Sequence, residues 1–357
     1  MNRRLAVPFW IVLALALLLL LLHLWLPHLV RNYLNDQLAD MGDYRGEVAQ
    51  VDLAWWRGAY QIEGLVIEKK KGDVPVPLLE APLIDLSVSW RTLWEHRAVV
   101  AEVTFVDPQL NFVDAARPER EQTGQGVDWR DRLNALMPIT LNEVRIRNGK
   151  VSFRNFSSDP PVNLYADQVV ATLYNLTNST DAKGRRVAEF VGEARFLGVA
   201  PMEASADFDP FTDWEDFDLQ LRVTGVPLTR LNDFSRAYGR FDFAGGTGDL
   251  VVEVAAKDSR LSGYIKPLLH NVEVFDWEQD VEAEDKGFLR GLWEAIVGGG
   301  QTLLKNQRKD QFATRVELSG TINNRDISPF QAFLAILRNA FIEAFTAHFE
   351  RSLDEGQ

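Results

Sequence analysis

The chain has 357 residues, of which 51 are acidic and 38 are lysine or arginine, so its formal net charge is −13; it contains no cysteine. The missing cysteines exclude disulfides, cysteine nucleophiles and thiolate metal sites. The acidic balance opposes nucleic-acid binding, which depends on neutralising phosphates, so no nucleic-acid partner is predicted.

An apolar run from Leu5 to Leu26 opens the chain and is interrupted only by Pro8 and His23. A helix of this length covers roughly 33 Å, which is enough to cross a bilayer core of about 30 Å. Residues 1–27 are therefore predicted to form a cytoplasmic tip and a transmembrane anchor.

The charges around this run indicate its direction. Arg3 and Arg4 precede it, and positive charge resists translocation, so the N-terminus is expected in the cytoplasm and the bulk of the chain on the other side. A cleavable signal peptide is the alternative. Residues 23–28 are bulky, however, and offer no small-x-small cleavage site. The interpretation is a single-pass anchor that is not cleaved.

The segment after the run has a different periodicity. Pro27 is predicted to end the anchor, and apolar residues then recur at helical spacing from Leu29 to Met41. Residues 28–45 are therefore interpreted as a short amphipathic helix lying where the chain leaves the bilayer.

Strand-like alternation begins at Gly46 and continues to about residue 327, and the strands it predicts include Ala188–Phe196, Leu261–Ile265, Val272–Trp277 and Thr314–Ile322. Turns are predicted at Trp55–Gly58 and at Arg147–Lys150, where Asn-Gly between two alternating runs is typical of a type I′ hairpin. About fourteen strands without helical crossovers predict a mainly β domain over residues 46–327. Its expected architecture is a long curled antiparallel sheet with a groove and a few amphipathic helices at its ends.

Two helical segments are predicted near the end of the chain. Residues 283–309 are predicted to form a helical insertion with an apolar stripe and a Gly-rich exit. It is interpreted as packing on the sheet, and the alternatives are a mobile flap that closes a groove and contact with the membrane. Residues 328–357 begin with Ser328-Pro329, an N-cap followed by proline in the first turn. They are interpreted as an amphipathic helix that caps the β-core, with a partner-binding helix as the alternative.

Patterns that carry chemistry are scarce. The five histidines are scattered without zinc-ligand spacing, and neither a P-loop nor a Gly-x-Ser-x-Gly elbow is present. The stretch from Asp207 to Asp218 alternates carboxylates, as Ca²⁺ ligands do, but it lacks EF-hand spacing, which favours a solvated turn. The sequence therefore predicts no catalytic, cofactor-binding or metal-binding residue, and a protein that is not an enzyme.

Five strand-and-turn segments follow the anchor: Val51–Tyr60, Ile84–Trp90, Val103–Leu110, Val144–Phe153 and Leu261–Leu268. Together with the anchor they resemble the AsmA-like family of bacterial envelope proteins, including its uncharacterised relatives. The resemblance implies an inner-membrane-anchored periplasmic protein of a Gram-negative bacterium. It also implies a curled sheet with a hydrophobic groove and a role in lipid transport or outer-membrane integrity.

The leading hypothesis is a non-catalytic envelope protein that handles phospholipid or another amphiphile in an apolar groove. Burial of each acyl CH₂ contributes about 0.8 kcal/mol. The candidate groove-lining residues share one face by strand alternation: Val103, Phe105, Val144, Ile146, Val151 and Phe153. The alternatives are a scaffold that tethers envelope protein partners at the inner membrane and, less favoured, a membrane-anchored hydrolase.

Overall fold

The computed structural model describes residues 3–54, 59–88, 100–115, 117–125, 127, 140–176, 188–209, 216–239, 242–257, 259–274, 311–313 and 315–321. Several predicted features lie outside these residues. They are the turn at Trp55–Gly58, the centre of the acidic stretch at 210–215, the insertion at 283–309 and the C-terminal helix at 328–357.

Helix α1 runs without a break over Arg3–Leu38, and part of it, Val12–Leu38, is long and apolar enough to cross a membrane. The predicted break at Pro27 is therefore wrong. Proline removes one backbone donor and frees the carbonyl four residues earlier, which apolar helices tolerate when nearby groups compensate. Beside Pro27, the carbonyl of Leu24 accepts a hydrogen bond from His28 Nδ1 at 3.1 Å.

The described part of the chain contains fourteen strands and is mainly β, as predicted. The strands are β1 Tyr44–Ala54, β2 Ala59–Lys69, β3 Leu79–Val88, β4 Val100–Val106, β5 Gln109–Asp114, β6 Thr140–Asn155, β7 Val162–Tyr174, β8 Ala188–Phe196, β9 Ala200–Phe208, β10 Phe217–Pro227, β11 Phe243–Lys257, β12 Arg260–Val274, β13 Gln311–Ala313 and β14 Val316–Thr321. Helix α2 spans Asn232–Gly239, and short 3₁₀ turns lie at Pro118–Arg120 and Leu228–Leu231.

All fourteen strands belong to one sheet, in the order β1-β2-β3-β4-β6-β7-β8-β9-β10-β11-β12-β13, with β14 beside β12 and β5 beside β3 and β6. The sheet is mixed, whereas the sequence predicted a wholly antiparallel one, because β4 and β5 both pair with β6 in parallel. A parallel pair needs a long crossover connection. Residues 115–139 provide it.

The hairpin predicted at Arg147–Lys150 is also wrong, because β6 continues straight through Asn148 and Gly149. Asn148 does have the predicted positive φ, 54°, and its neighbours Asp107 (53°) and Gln168 (51°) match it on either side. Asn148 and Gln168 lie at register shifts between β6 and β7, beside Asp107 at the bend between β4 and β5, and we call this row of three residues the crease. A bulge adds one residue to a strand and reverses which face its later side chains occupy.

One further strand boundary that was predicted from the local sequence is wrong. Separate strands were predicted at Leu261–Ile265 and Val272–Trp277, yet β12 is one strand that contains Pro267. Pro267 pairs in register with Leu250 on one side. On its other side the ladder jumps from Ile265↔Val316 to Leu268↔Ala313. The missing N–H of proline therefore lies where the ladder is interrupted, which makes proline tolerable there.

The largest buried cluster lies at the β1 end, where α1 meets the first strands. Its members come from the end of α1, the following turn and β1 to β4: Leu34, Leu38, Met41, Tyr44, Val48, Val51, Ile62, Ile67, Leu78, Ala81, Ile84, Leu86 and Val103. Smaller buried clusters lie among β10 to β12 and around the β8–β9 turn. The core is therefore thickest where the chain leaves its apolar helix.

Candidate functional site

The six predicted groove-lining residues lie on two adjacent strands. Val103 and Phe105 of β4 are in register with Val144 and Ile146 of β6. Val151 and Phe153 follow on β6 beyond the crease, in register with Leu110 and Phe112 of β5. Register partners on neighbouring strands point to the same face of a sheet. Each of the two groups, one before the crease and one beyond it, therefore shares one face.

The crease brings the groups on its two sides together. Ile146 and Val151 are five residues apart, an odd spacing that would place them on opposite faces of a regular strand. A Cβ built on Gly149 would lie 2.8 Å from Ile146 Cγ2, so Gly149 and Ile146 face the same way. Val151, two residues after Gly149, then shares that face. Phe105, Leu110 and Phe112 likewise all pack against the same buried cluster, across the crease in β4 and β5.

This apolar face extends across the sheet in two neighbouring rows of register partners. The first row runs from β1 to β14: Val51, Ile62, Ile84, Phe105, Ile146, Ala171, Gly192, Ala204, Leu221, Val252, Ile265 and Val316. The second row lies two residues away: Leu53, Tyr60, Leu86, Val103, Val144, Leu173, Phe190, Ala206, Leu219, Val254, Gly263 and Leu318. Neither row contains a charged side chain.

The row between them points to the other face and is mostly polar. Its members are Asp52, Gln61, Asp85, Thr104, Arg145, Thr172, Val191, Ser205, Gln220, Glu253, Tyr264 and Glu317. Arg145 bridges Glu143 at 2.7 Å and Glu102 at 3.3 Å on this face. Alternating apolar and polar rows are typical of a sheet that has one face in water and one face against apolar material.

Side chains of the apolar face are not all buried. Val103 is 1% exposed, whereas Phe105, Val144, Ile146, Val151 and Phe153 are only half-buried. Further along, Phe190, Ala204 and Leu219 are also half-buried. The face is therefore closed near α1 and again around Leu221, Val252 and Ile265, and its half-buried side chains lie mainly between these two buried groups.

The end of α1 covers the β1 end of this face. Leu34 and Leu38 pack into the buried cluster, and a Cβ on Gly46 would lie 3.2 Å from Leu38 Cβ. Asn35 fixes the helix by bonding both backbone groups of Val48: its Nδ2 donates to Val48 O at 3.2 Å and its Oδ1 accepts from Val48 N at 2.7 Å. The Asn35 side chain thus makes the two hydrogen bonds that a neighbouring strand would make to Val48 on the open edge of β1.

Residues 117–125 form a segment that packs beside the β1 end of the sheet. Gln122 is fully buried, pairs its backbone with Val113 and donates to the carbonyl of Asn111 at 2.9 Å. The hydroxyl of Tyr44 accepts a hydrogen bond from Gly124 N at 3.1 Å. Burial raises the pKa of Tyr44 above its usual value, although the hydrogen bonds from Gly124 and Thr123 oppose the shift. Burial also raises the pKa of Tyr60.

Helix α2 lies against β7 and the ends of β5 and β6. Tyr238 donates its hydroxyl hydrogen bond to Asp114, and Asn155 Nδ2 donates to the same carboxylate at 3.2 Å. The Tyr238 ring lies 6.4 Å from Phe153 and 4.9 Å from Phe234. Phe153, one of the predicted lining residues, therefore lies against a helix that was not predicted from the sequence.

Two further contacts attach α2 to the start of β11. Asn232 bonds both backbone groups of Phe243, at 3.0 and 2.9 Å. Arg236 forms a two-bond ion pair with the buried Asp242 at 2.6 and 2.8 Å. The apolar spacing of Leu228, Leu231 and Phe234 was the available signal for this helix, but two helical turns are too short to stand out from strand alternation.

Other residues considered for chemistry are placed as follows. His270 Nε2 lies 3.0 Å from Asp249, whose other oxygen accepts from Gly225 N at 2.7 Å. Asp207 and Asp218 are exposed register partners on β9 and β10. Among the described residues no group of three or more His, Asp or Glu side chains has the arrangement of a metal site. His96 and His348 lie outside those residues, and the expected lack of catalytic function stays a prediction.

The geometry contains an apolar helix that enters the core of the sheet and an apolar face that continues from it across the described strands. No protein-family model matches this chain, and no curated protein sequence matches it.

Proposed function

We propose that this protein is anchored by α1 in the bacterial inner membrane, with its sheet in the periplasm, and that the apolar face of the sheet binds acyl chains of phospholipid or another amphiphile. One observation carries the proposal: two uninterrupted rows of uncharged, mostly apolar side chains cross the sheet from the helix-covered end to β14. The polar row between them leaves the opposite face to water.

The arrangement suits an elongated apolar ligand better than a compact polar one. The half-buried part of the face combines large side chains (Phe105, Ile146 and Leu219) with a small one (Ala204). No charge in the two rows requires a counterion. Each acyl CH₂ removed from water on this face contributes about 0.8 kcal/mol. The headgroup stays in water at the margin of the sheet.

Site-specific photo-crosslinking of the full chain in its native host tests this function. A benzoylphenylalanine at Phe105 faces the apolar side, whereas one at Thr104 faces the polar side and serves as the matched control. A third position, Leu219 on β10, is eight strand spacings from β1, or about 38 Å along the sheet. A lipid adduct there would place lipid on the apolar face far along the sheet from the helix-covered end.

We expect lipid-mass adducts at positions 105 and 219 and none at 104. Adducts at all three positions would indicate contact with bulk membrane rather than a binding face. Protein adducts alone at 105 and 219 would favour a face that is covered by a partner. Either result would overturn the proposal.

The scaffold remains a second candidate because of a different observation on the polar side. Val170 and Tyr174 of β7 and Val191 of β8 are exposed apolar side chains on that face. Exposed apolar clusters often mark protein contacts. A photo-crosslinker at Val170 that captures one defined envelope protein, with no lipid at position 105, would support the scaffold.

A further inference from the structure

Helix α1 has two apolar stripes, and only one of them is used by the sheet. Val30, Leu34 and Leu38 recur every four residues and pack against the buried cluster at the β1 end. A second stripe, which we call the outer stripe, consists of Trp25, Leu29 and Tyr33. At about 100° per residue, its centre lies about 140° around the helix from that of the first. The outer stripe therefore faces away from the sheet.

The outer stripe is exposed along its whole length. Trp25 is 65% exposed, Leu29 42% and Tyr33 52%. It continues the exposed side chains of the apolar span without interruption, because α1 does not break at Pro27. It ends one turn later at the exposed Asp36. Beyond the predicted membrane limit at Leu26, α1 thus has protein on one side and an exposed apolar surface on the other.

The rotation of the outer stripe is fixed. Asn35 bonds both backbone groups of Val48, and Leu38 fits against Gly46. Because these contacts hold α1 against β1, the helix cannot turn Leu29 and Tyr33 toward the sheet. The side of α1 that carries them must therefore meet whatever surrounds the helix where it leaves the bilayer.

We infer that the outer stripe lies in the headgroup layer of the bilayer, so that the lipid boundary on this side of α1 reaches Tyr33 rather than Leu26. The distance from Leu5 to Tyr33 is about 42 Å along a helix, close to the 40–45 Å of a bilayer with its headgroups. Tryptophan and tyrosine are the residues enriched at that level. If α1 leans so that the outer stripe lies against lipid, the sheet, which packs on the opposite side of α1, is raised away from the bilayer. The inference rests on the proposed membrane anchor.

A protein partner explains the outer stripe less well. Three side chains on two to three turns of helix offer far less than the ~1,000 Å² that a stable protein interface needs. Lipid has no such threshold, since each apolar group inserted into the interface contributes independently by the area it removes from water. The continuity of the stripe with the span also favours lipid.

Spin labels provide the test, and the absence of native cysteine makes single-cysteine variants of the full chain straightforward. The chain is reconstituted into phosphatidylethanolamine–phosphatidylglycerol vesicles with a nitroxide at one position: Leu18→Cys within the span, Leu29→Cys or Tyr33→Cys on the outer stripe, or Glu47→Cys on the exposed side of β1. Power saturation then compares collisions with oxygen, which concentrates in lipid, and with a water-soluble nickel chelate. All four positions are exposed, so the label does not replace a core side chain.

We expect oxygen to dominate at positions 18 and 29, comparable access of both reagents at 33, and nickel to dominate at 47. Nickel dominance at both 29 and 33, with oxygen dominance at 18, would overturn the outer-stripe inference and leave the anchor standing. Low access of both reagents at 29 and 33 would reveal a protein partner or a second copy and would also overturn it. Nickel dominance at 18 would overturn the anchor itself.

Discussion

The two helices that close the apolar face are attached in the same way but stabilised differently. Asn35 of α1 bonds both backbone groups of Val48, and Asn232 of α2 does the same to Phe243. A side-chain amide is well suited to this task, because it offers one donor and one acceptor in the spacing of a peptide group. Helices are thus joined to strand edges without a further strand.

The packing behind the two attachments differs. At the β1 end, α1 contributes Leu34 and Leu38 to a cluster that spans four strands. At α2, which lies against β7, the ring contacts of Tyr238 with Phe153 and Phe234 are joined by polar contacts of Tyr238 with Asp114 and of Arg236 with Asp242. Apolar burial is non-directional and resists sliding only through packing, whereas hydrogen bonds are directional and exchange readily with water. The comparison indicates a permanent attachment at α1 and a weaker, more easily opened one at α2.

The largest expected effect concerns the apolar attachment. Leu38→Ala removes a buried side chain between α1 and Gly46 and should lower the free energy of unfolding by about 2–5 kcal/mol. Leu231→Ala, in the 3₁₀ turn that leads into α2, should cost less, since Leu231 is only half-buried. Urea unfolding of the full chain in micelles measures both. Equal losses would contradict the proposed difference between the two attachments.

The amide attachments come next in expected size. Asn35→Ala leaves the N–H and C=O of Val48 without their partner and should cost about 1–3 kcal/mol. Amide hydrogen exchange at Val48 should accelerate in this variant, and exchange at Phe243 should accelerate in Asn232→Ala. Asn35→Asp is the control: it keeps an acceptor for Val48 N–H, so protection of that amide should survive. Unchanged exchange in Asn35→Ala would show that the amide pairing is dispensable.

A smaller effect is expected at the polar attachment of α2. Tyr238→Phe keeps the ring against Phe153 and Phe234 but removes the hydrogen bond to Asp114, which should cost about 1 kcal/mol. The loss should be local: exchange of the α2 amides accelerates while the β1 end is unaffected. Tyr174→Phe, at an exposed position on the other face, should change neither. Acceleration throughout the sheet would mean that α2 unfolds together with the β1 end.

The smallest expected effect appears only at alkaline pH. Burial raises the pKa of Tyr44 and Tyr60 in the folded protein, so the unfolded chain loses these protons first. The stability that these two protonated tyrosines contribute is therefore complete below about pH 10. It declines as the pH rises from there through their folded-state pKa values. The double variant Tyr44→Phe/Tyr60→Phe should show a shallower loss of melting temperature between pH 9 and 11. If the melting temperature of the double variant falls with pH as steeply as that of the unmodified chain, deprotonation of Tyr44 and Tyr60 is not the cause of the fall.

Strand positions were largely predictable because alternation is local. β8 was predicted at Ala188–Phe196 and is observed there, and β14 differs from its prediction by two residues at the start and one at the end. The common face of Phe105 and Ile146 followed from the same alternation. A feature that depends on one strand alone can therefore be predicted from the sequence.

The errors arose where a residue's role depends on distant partners. Asn148 has the backbone conformation of a turn, but Asp107 and Gln168 on the neighbouring segments have the same positive φ, so the strand continues through the crease. Proline usually marks a helix end, yet α1 continues through Pro27, as helices that are apolar enough to cross a membrane can when nearby groups compensate for the lost hydrogen bond. The parallel pairing of β4 with β6 depends on the crossover at 115–139, which no local pattern identifies.

The attachment at Asn35 has a geometric consequence for the whole molecule, because one rigid helix contains both the apolar span and the residue that holds β1. The number of residues between them sets the azimuth of the sheet relative to the apolar span. One residue inserted after Pro27 would rotate the sheet by about 100° relative to the span and raise it by about 1.5 Å. Seven inserted residues would nearly restore the azimuth and raise the sheet by about 10 Å. Azimuth and height are therefore separable quantities, both encoded in the length of a single helix.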